Sequence, residues 1–231
     1  MSTVQFETES VRIPLWVTDL SSFRRWADSA ESPDKATVCY LSGEVWVEMS
    51  KEQVYSHNQV KTEFARVLAG LVKQRRLGRY FSDGLFLTNI AADLCSKPDG
   101  TFVSREAFAA QRVRLIEGSL EGFVEIEGTP DMVLEVVSGS SVSKDTEWLR
   151  DLYWKAGIAE YWLVDCRGER VDFDILRHTA GGYSATGKSA TGKSAGWMES
   201  AVFGHALLLT RQADEMGQPE YTLEARVPPP R

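Results

Sequence analysis

Hydrophobic residues recur along this chain with two different spacings, and each spacing predicts a different kind of element. Residues 18–30 place apolar side chains three and four positions apart, which is the spacing of one helix face. A longer stripe of the same spacing runs through Val60, Phe64 and Leu68 and stops near Gly78. Two helices are therefore predicted in the first third of the chain.

Other segments are apolar at every second position or at nearly every position, as expected for β-strands. Eight segments meet this description: TVCYL, EVWVEM, RYFSD, LFLTN, DGTFV, MVLEVV, EYWLVD and VDFDIL. The first two flank Ser42-Gly43 and are predicted to form a hairpin. MVLEVV and EYWLVD are almost continuously apolar, which is typical of strands covered on both faces, whereas VDFDIL alternates as a half-exposed edge strand does.

Three further regions complete the predicted order of elements. Residues 104–128 are predicted to form a helix followed by an acidic loop, and residues 145–156 a helix that ends at Gly157. Residues 212–231 are polar, end in VPPPR, and are predicted to be a poorly ordered tail. This order predicts a single domain over 1–211, followed by the tail.

Composition narrows the class of protein only slightly. The chain has 231 residues, an apolar fraction of 43% and a formal charge of −7, which excludes a generally basic coat for nucleic acid but not a local cationic groove. Cys39, Cys95 and Cys166 are far apart and lack CxxC spacing, which predicts neither a disulfide framework nor a zinc cluster. Without a long apolar run or an apolar leader, we expect a cytoplasmic protein with no membrane segment.

One motif suggests nucleotide binding. Within 181–197, GYSATGKS and GKSATGKS both match the eight-residue P-loop pattern. A working P-loop follows a buried strand and opens into a helix, but here a half-exposed strand precedes the motif and a β-like segment follows it. The tandem repeat of SATGK also generates the second match by itself. We therefore interpret this segment as a lengthened, glycine-rich hairpin loop.

The residue that most needs a chemical explanation is Glu135, a carboxylate inside an apolar strand. Unpaired, it would take up a proton or destabilise the fold by an amount on the order of several kcal/mol. A divalent cation would compensate it, with a second carboxylate from either Asp99 or Asp131, which lies four residues earlier on the same strand face. We favour Asp99 with Glu135. The alternative is a salt bridge to an arginine, or capping of a turn by Asp131 after Pro130.

The order of motifs resembles a known family. Gly43-Glu44, the helix with His57, KPDGTFVS, GTPDMVLEVVS and DxxxLRDLYWKAGIAEYWLVD follow one another as in the Uma2 family, also called domain of unknown function 820, a branch of the PD-(D/E)XK nuclease superfamily. The resemblance covers about residues 18–210. It implies an α/β fold of the restriction-endonuclease type, a sandwich with a central mixed sheet flanked by helices.

The resemblance also implies a site and a reaction. Asp99 and Glu135 would hold Mg²⁺ or Mn²⁺, and Glu44 and His57 would flank the metal. The implied activity is hydrolysis of phosphodiester bonds in nucleic acid, with DNA as the expected partner. Nucleases of this type often pair, so a homodimer is an open alternative, although no segment of the sequence marks an interface.

The chain departs from the family at the lysine that stabilises developing negative charge. The family pattern D-x3-K-x3-Y here has Asp145, Leu149 and Tyr153, so an apolar side chain takes the lysine position. Lys144 and Arg150 are the candidate substitutes, although on a regular helix neither shares the face of Asp145 and Tyr153. Losing such a contact slows a reaction about 10²–10³-fold. The alternative function is therefore a degenerate nuclease fold that serves as a nucleic-acid or protein interaction module.

Two further features each have two interpretations. His57 is either a hydrogen-bonded core histidine on an apolar helix face or a catalytic group. Lys73, Arg75, Arg76 and Arg79 form a basic cluster at a predicted helix C-terminus, where they either complement the helix dipole or contact phosphate. The sequence alone leaves both choices open.

Overall fold

Three β-sheets and four helices organise the described part of the chain, which is seen in a computed structural model that describes residues 11–33, 36–48, 51–119, 122–187 and 196–228. The helices are α1 Leu20–Ala27, α2 Val60–Arg75, α3 Arg105–Ala109 and α4 Leu149–Lys155, with π-helical turns Val54–Gln59 and Lys144–Trp148 running into α2 and α4. The strands are β1 Thr37–Leu41, β2 Glu44–Glu48, β3 Gly78–Ser82, β4 Phe86–Asn89, β5 Leu94–Ser96, β6 Gly100–Ser104, β7 Val113–Glu117, β8 Phe123–Gly128, β9 Met132–Val136, β10 Glu160–Asp165, β11 Asp172–Thr179, β12 Gly182–Ala185, β13 Met198–Ser200, β14 His205–Ala213 and β15 Pro219–Arg226.

The central sheet is mixed and has the strand order β12-β11-β10-β9-β6-β3. Its parallel pair is β9 with β10, joined through α4, and its other pairs are antiparallel. A second six-stranded sheet has the order β2-β1-β5-β4-β8-β7, and a three-stranded sheet has the order β13-β14-β15. The fold is therefore the mixed α/β architecture that the sequence predicted.

Both faces of the central sheet are covered, which explains the continuously apolar strands. On one face, Phe64 and Leu68 of α2 and Leu207 of the three-stranded sheet pack in one cluster. On the other face, Leu152 of α4 and Leu41 of the second sheet belong to another cluster. Every residue of β9 is buried, as expected for a strand between two apolar layers.

Local chemistry accounts for several element boundaries. Asp19 caps α1, accepting a hydrogen bond from the Ser22 amide while the Ser22 hydroxyl accepts one from the Asp19 amide. Gly157 follows α4 with a φ of 74°, which a glycine adopts without strain. The end of α4 at Gly157 and the β1–β2 hairpin confirm the corresponding sequence predictions.

The prediction for residues 104–128 was wrong over most of its length. Among the residues described in this range, only those of α3 are helical, and β7 and β8 then form an antiparallel pair in place of the predicted acidic loop. The period of two was present in the sequence, because Val113 is buried while Arg114 is exposed. The acidic residues of β8 made this alternation hard to recognise in the sequence. In the structure, Arg24 pairs with both Glu125 and Glu127.

The prediction of a poorly ordered tail over 212–231 was also wrong for the described residues. Strand β14 crosses the boundary predicted at 211 and pairs with β15 along its whole length. Tyr221 and Leu223 are buried against α2, and the Leu223 amide donates a hydrogen bond to Glu63. Alternating apolar side chains therefore order a segment whose overall composition is polar.

The P-loop interpretation is not supported where the structure describes the motif. Gly182 and Tyr183, which open the first match, lie in β12, paired with β11. Lys188 and the rest of 188–195 lie outside the described residues.

Three thiols are present at Cys39, Cys95 and Cys166, and each is free and buried. In the described ranges, no helix combines the length and the apolar character needed to cross a membrane.

Candidate active site

Two carboxylates meet where β6 begins and β9 ends. Gly100 pairs with Leu134 across the antiparallel β6–β9 pair, so Asp99, one residue earlier, lies opposite Glu135. The Val136 amide donates a 2.7 Å hydrogen bond to Asp99 Oδ2, which fixes the aspartate at this edge. The sequence-predicted pair is thus brought together by the register of the sheet.

Both carboxylates line a polar cavity of about 310 Å³. Most of the other lining side chains are charged or hydrogen-bonding: Glu48, Lys51, Glu52, His57, Lys61, Asp83, Lys97, Ser138, Ser141, Lys144 and Asp145. The cavity therefore concentrates ionisable groups from α2, β2, β6, β9 and the turn before α4.

Glu135 is held almost entirely away from solvent. Its side chain accepts a 2.6 Å hydrogen bond from the Tyr153 hydroxyl of α4. Burial raises the pKa of Glu135 well above its ordinary value, and the negative charges of Asp145 and Asp99 raise it further, against the influence of Lys144. The ionised form of Glu135 is therefore unfavourable unless positive charge lies nearby.

Lys144 provides a positive charge in the cavity. Its Nζ lies 3.2 Å from Glu48 Oε2 and 3.5 Å from Asp145 Oδ1. Burial would lower the pKa of Lys144, but the carboxylates of Glu135, Asp145 and Glu48 raise it above its ordinary value. Lys144 is therefore protonated and acts as a fixed cation.

The expectation that Lys144 could not share a face with Asp145 and Tyr153 was wrong. It assumed a regular α-helix, whereas residues 144–148 form a π-helical turn that changes the angular spacing of side chains. Lys144 and Asp145 both line the cavity, and Tyr153 reaches Glu135 from α4. Leu149 is fully buried in the apolar core.

Arg150, the other candidate substitute, is not at the site. It is exposed, and its Nη2 donates a hydrogen bond to the Tyr183 carbonyl of β12. Of the two substitutes considered from the sequence, the structure places only Lys144 beside the acidic pair.

His57 lines the cavity, so it is not the core histidine that one of the two interpretations predicted. Its Nε2 is 3.6 Å from Asp99 Oδ2, and its Nδ1 is 3.1 Å from Glu52 Oε1. The π-helical turn before α2 carries His57 out of the buried stripe that begins at Val60. His57 therefore lies between Asp99 and Glu52 at the cavity wall.

Lys61 is a site residue that sequence reasoning missed. Its Nζ lies 2.6 Å from both Glu52 Oε1 and Asp83 Oδ2, and 3.6 Å from Asp99 Oδ1. The available signal was its spacing, because Lys61 follows His57 by four residues and so shares its helix face.

Glu44 is not among the described residues that line the cavity, in contrast to its expected position. It is exposed at the hairpin end of β2, whereas Glu48, at the other end of the strand, faces the site. Glu48 accepts hydrogen bonds from the Ser138 and Ser140 hydroxyls. Burial would raise the pKa of Glu48, but Lys144 and these hydroxyls hold it at about 2. The alternating pattern of β2 gave no reason to choose one glutamate over the other.

Asp131 does not reach the site, which removes the alternative second carboxylate. It accepts a 2.6 Å hydrogen bond from the Ser104 amide and pairs with Arg112 near the surface, at the opposite end of β9. Within the described residues, no arginine pairs with Glu135.

The residues of the cavity fit a divalent cation. Asp145 accepts a hydrogen bond from the Ser141 hydroxyl, yet its Oδ1 is buried without a hydrogen-bond partner in the described chain. Burial raises the pKa of Asp145 to about 6, opposed by Lys144 and assisted by Asp99 and Glu48.

No group of three or more His, Cys, Asp or Glu side chains forms a ready-made metal cluster among the described residues. Mg²⁺ needs only one or two carboxylates besides water and substrate oxygens.

The fold places this chain in a class of known structures. A crystal structure described as that of "a putative nuclease belonging to DUF820 from Anabaena variabilis ATCC 29413" superposes with a TM-score of 0.54 at 17% sequence identity, covering 80% of this chain and 90% of that one. At this identity the similarity shows a shared fold, the restriction-endonuclease-like α/β sandwich.

The family follows from the sequence. Residues 20–195 match the Uma2 family model, described as "Putative restriction endonuclease". The chain therefore belongs to the Uma2 family. No curated protein matches it.

Proposed function

We propose that this chain is a metal-dependent endonuclease that hydrolyses phosphodiester bonds of nucleic acid. The observation that carries the proposal is the meeting of Asp99, Glu135 and Lys144 in one polar cavity. The family description and the nuclease named in the similar crystal structure support it, and they favour DNA as the substrate.

Asp99 and Glu135 would hold Mg²⁺ or Mn²⁺, since the fold presents their carboxylates from adjacent strands. When bound, the cation would polarise the scissile phosphate and make water a better nucleophile at neutral pH. The Val136 amide and the Tyr153 hydroxyl hold the two carboxylates in place. This support keeps the two acids oriented before substrate binds.

Lys144 would stabilise the negative charge that develops on the phosphate. It supplies from position 144 the charge that the family pattern places at 149. Because its pKa is raised, it acts by charge and hydrogen bonding and does not remove a proton. Lys61 adds a second cation that, with His57, faces Asp99.

Plasmid nicking with Mg²⁺ or Mn²⁺ tests the proposal. We expect Asp99→Asn to abolish nicking, and Lys144→Met to slow it about 10²–10³-fold, the usual effect of removing one transition-state contact. Lys155→Met is the matched control, because Lys155 is an exposed lysine of α4 paired with Asp151, and it should leave nicking unchanged.

Equal nicking by all four preparations would contradict the proposal. No nicking by the wild-type protein with either metal, together with binding of the plasmid, would favour the alternative function as a nucleic-acid interaction module.

A further inference from the structure

Four cationic side chains from three elements surround one depression at the far end of α2. Lys73 of α2, Arg76 just after it, Arg79 of β3 and Arg105 of α3 line a space of about 570 Å³, here called the basic depression. All four side chains are exposed. The sequence cluster thus gains Arg105, a residue that lies 26 positions further along the chain than Arg79.

The close approach of β3 to β6 assembles this surface. Gly78 pairs with Ser104, and a β-carbon on Gly78 would lie 2.1 Å from the Val103 carbonyl oxygen. The Arg105 amide donates a hydrogen bond to the Leu77 carbonyl, which ties the start of α3 to the start of β3. Only glycine permits this spacing, so the positions of the cations are built into the fold.

The four charges are not used to hold the fold together. Within the described residues, none of them forms an ion pair. Arg75, by contrast, contacts the Phe203 carbonyl and His205, so it anchors the three-stranded sheet. The sequence cluster therefore divides into one structural arginine and three free cations.

Arg76 also occupies a conformation that its residue type disfavours. It caps α2 with a φ of 54°, in the left-handed region where glycine or asparagine is usual. Replacing Arg76 with glycine would therefore remove its charge without straining the cap.

The basic depression and the cavity of Asp99 and Glu135 lie along the same helix, α2. Lys61 faces the cavity, and Lys73 lies twelve residues later on the same helix, which is about 18 Å at 1.5 Å per residue. A duplex has phosphates along its whole length, so one that occupies the cavity could extend over this distance in roughly five base pairs.

We propose that the basic depression is a second nucleic-acid contact, which binds the phosphodiester backbone outside the catalytic cavity. The inference rests on the proposed nuclease function for its choice of partner. Guanidinium groups bind phosphate through two hydrogen bonds at once, and three of the four cations are arginines. In a chain with a net charge of −7, this local excess of positive charge steers a polyanion to one face.

Binding of a fluorescent duplex to the full chain, measured by anisotropy in EDTA over a series of salt concentrations, tests the inference. The triple variant Arg76→Gly, Arg79→Gln and Arg105→Gln should weaken binding about tenfold or more, and the salt slope should fall by roughly 0.9 for each lost phosphate contact. Arg66→Gln is the control, because Arg66 is an exposed arginine of α2 already paired with Glu63. It should change neither quantity.

The outcomes separate this inference from the proposed function. If the triple variant, shown to be folded by its thermal midpoint, binds like the control, the basic depression is not a nucleic-acid contact, whether or not the wild type nicks plasmid. If the triple variant loses binding while the wild type fails to nick, the contact stands and the nuclease proposal fails. Failure of the wild type to bind the duplex, or tighter binding of polyglutamate with the same dependence on the arginines, would overturn the inference.

Discussion

Two glutamates buried in adjacent strands of the central sheet have opposite surroundings. Glu135 of β9 is 3% exposed and Glu160 of β10 is 1% exposed. Glu160 accepts four hydrogen bonds from uncharged donors: Trp162 Nε1, the Ser200 hydroxyl and the Ala201 and Val202 amides. Glu135 has one such donor, the Tyr153 hydroxyl, and otherwise faces other ionisable groups.

Burial alone therefore does not distinguish a carboxylate whose hydrogen bonds are satisfied by the fold from one that has few donors. Glu160 is satisfied by its own fold and serves as the anchor of the three-stranded sheet. Glu135 is left with an excess of negative charge around it, which a bound cation would relieve. The small number of donors around Glu135 is thus an observation that supports its proposed role.

The largest expected difference between variants of Glu135 and Glu160 is in the nicking rate. Glu135→Gln should lower the nicking rate about 10³-fold, because a neutral amide cannot replace a charged metal ligand. Glu160→Gln should retain the wild-type rate per folded molecule. Single-turnover nicking rates at saturating Mn²⁺ measure both, and similar losses in the two variants would remove the distinction.

The next largest difference is in stability. Glu160→Gln should lower the free energy of unfolding by roughly 2–4 kcal/mol, since at least one buried donor would face the amide NH₂ and lose its acceptor. Glu135→Gln should not lower the free energy of unfolding at neutral pH, because it removes a buried carboxyl group whose pKa is raised. Urea unfolding of the metal-free proteins measures both values, and a larger loss for Glu135→Gln would reverse the assignment.

A third carboxylate gives the smallest expected effect. Asp174 of β11 and Glu135 of β9 both pair with Leu163, which lies between them on β10. Asp174 Oδ1 has no hydrogen-bond partner among the described residues. Burial raises the pKa of Asp174 above 3.8, and Asp172 raises it further. Asp174 is not among the described residues that line the cavity of Asp99 and Glu135. A raised pKa without converging groups therefore predicts no role in catalysis.

The pH dependence of Asp174→Asn tests that statement. The folded carboxyl keeps its proton to higher pH than the unfolded one, so its contribution to stability is lost as pH rises through the raised pKa. The variant should melt at a slightly higher temperature than wild type at neutral pH and at the same temperature well below pH 3.8. Nicking should be unchanged, and an activity loss would link Asp174 to the site.

Long, strongly patterned elements were predictable from the sequence, and so was the meeting of Asp99 and Glu135 at one cavity. Asp99 and Glu135 were found because a carboxylate in a doubly covered strand has few explanations, and because family motifs supplied its partner. The strands β7, β8 and β15 were missed because charged and polar residues outweighed a period of two, whereas β14 was missed although residues 206–209 are continuously apolar.

The positions of Lys144, Lys61 and Glu48 could not be obtained from spacing alone. Lys144 depends on a π-helical turn, which regular helix geometry does not anticipate. Lys61 and Glu48 reach the cavity from elements far apart in sequence, and only the packing of α2 and β2 around β6 and β9 brings them together.

The match to the family ends at residue 195, but the apolar interior does not. Tyr221 and Leu223 pack with α2 in one apolar cluster, and Glu63 holds β15 to the first turn of that helix. A chain shortened at 195 would expose this surface close to His57 and Lys61. The residues beyond the family match therefore cover the helix that carries Lys61 and that follows the turn with His57.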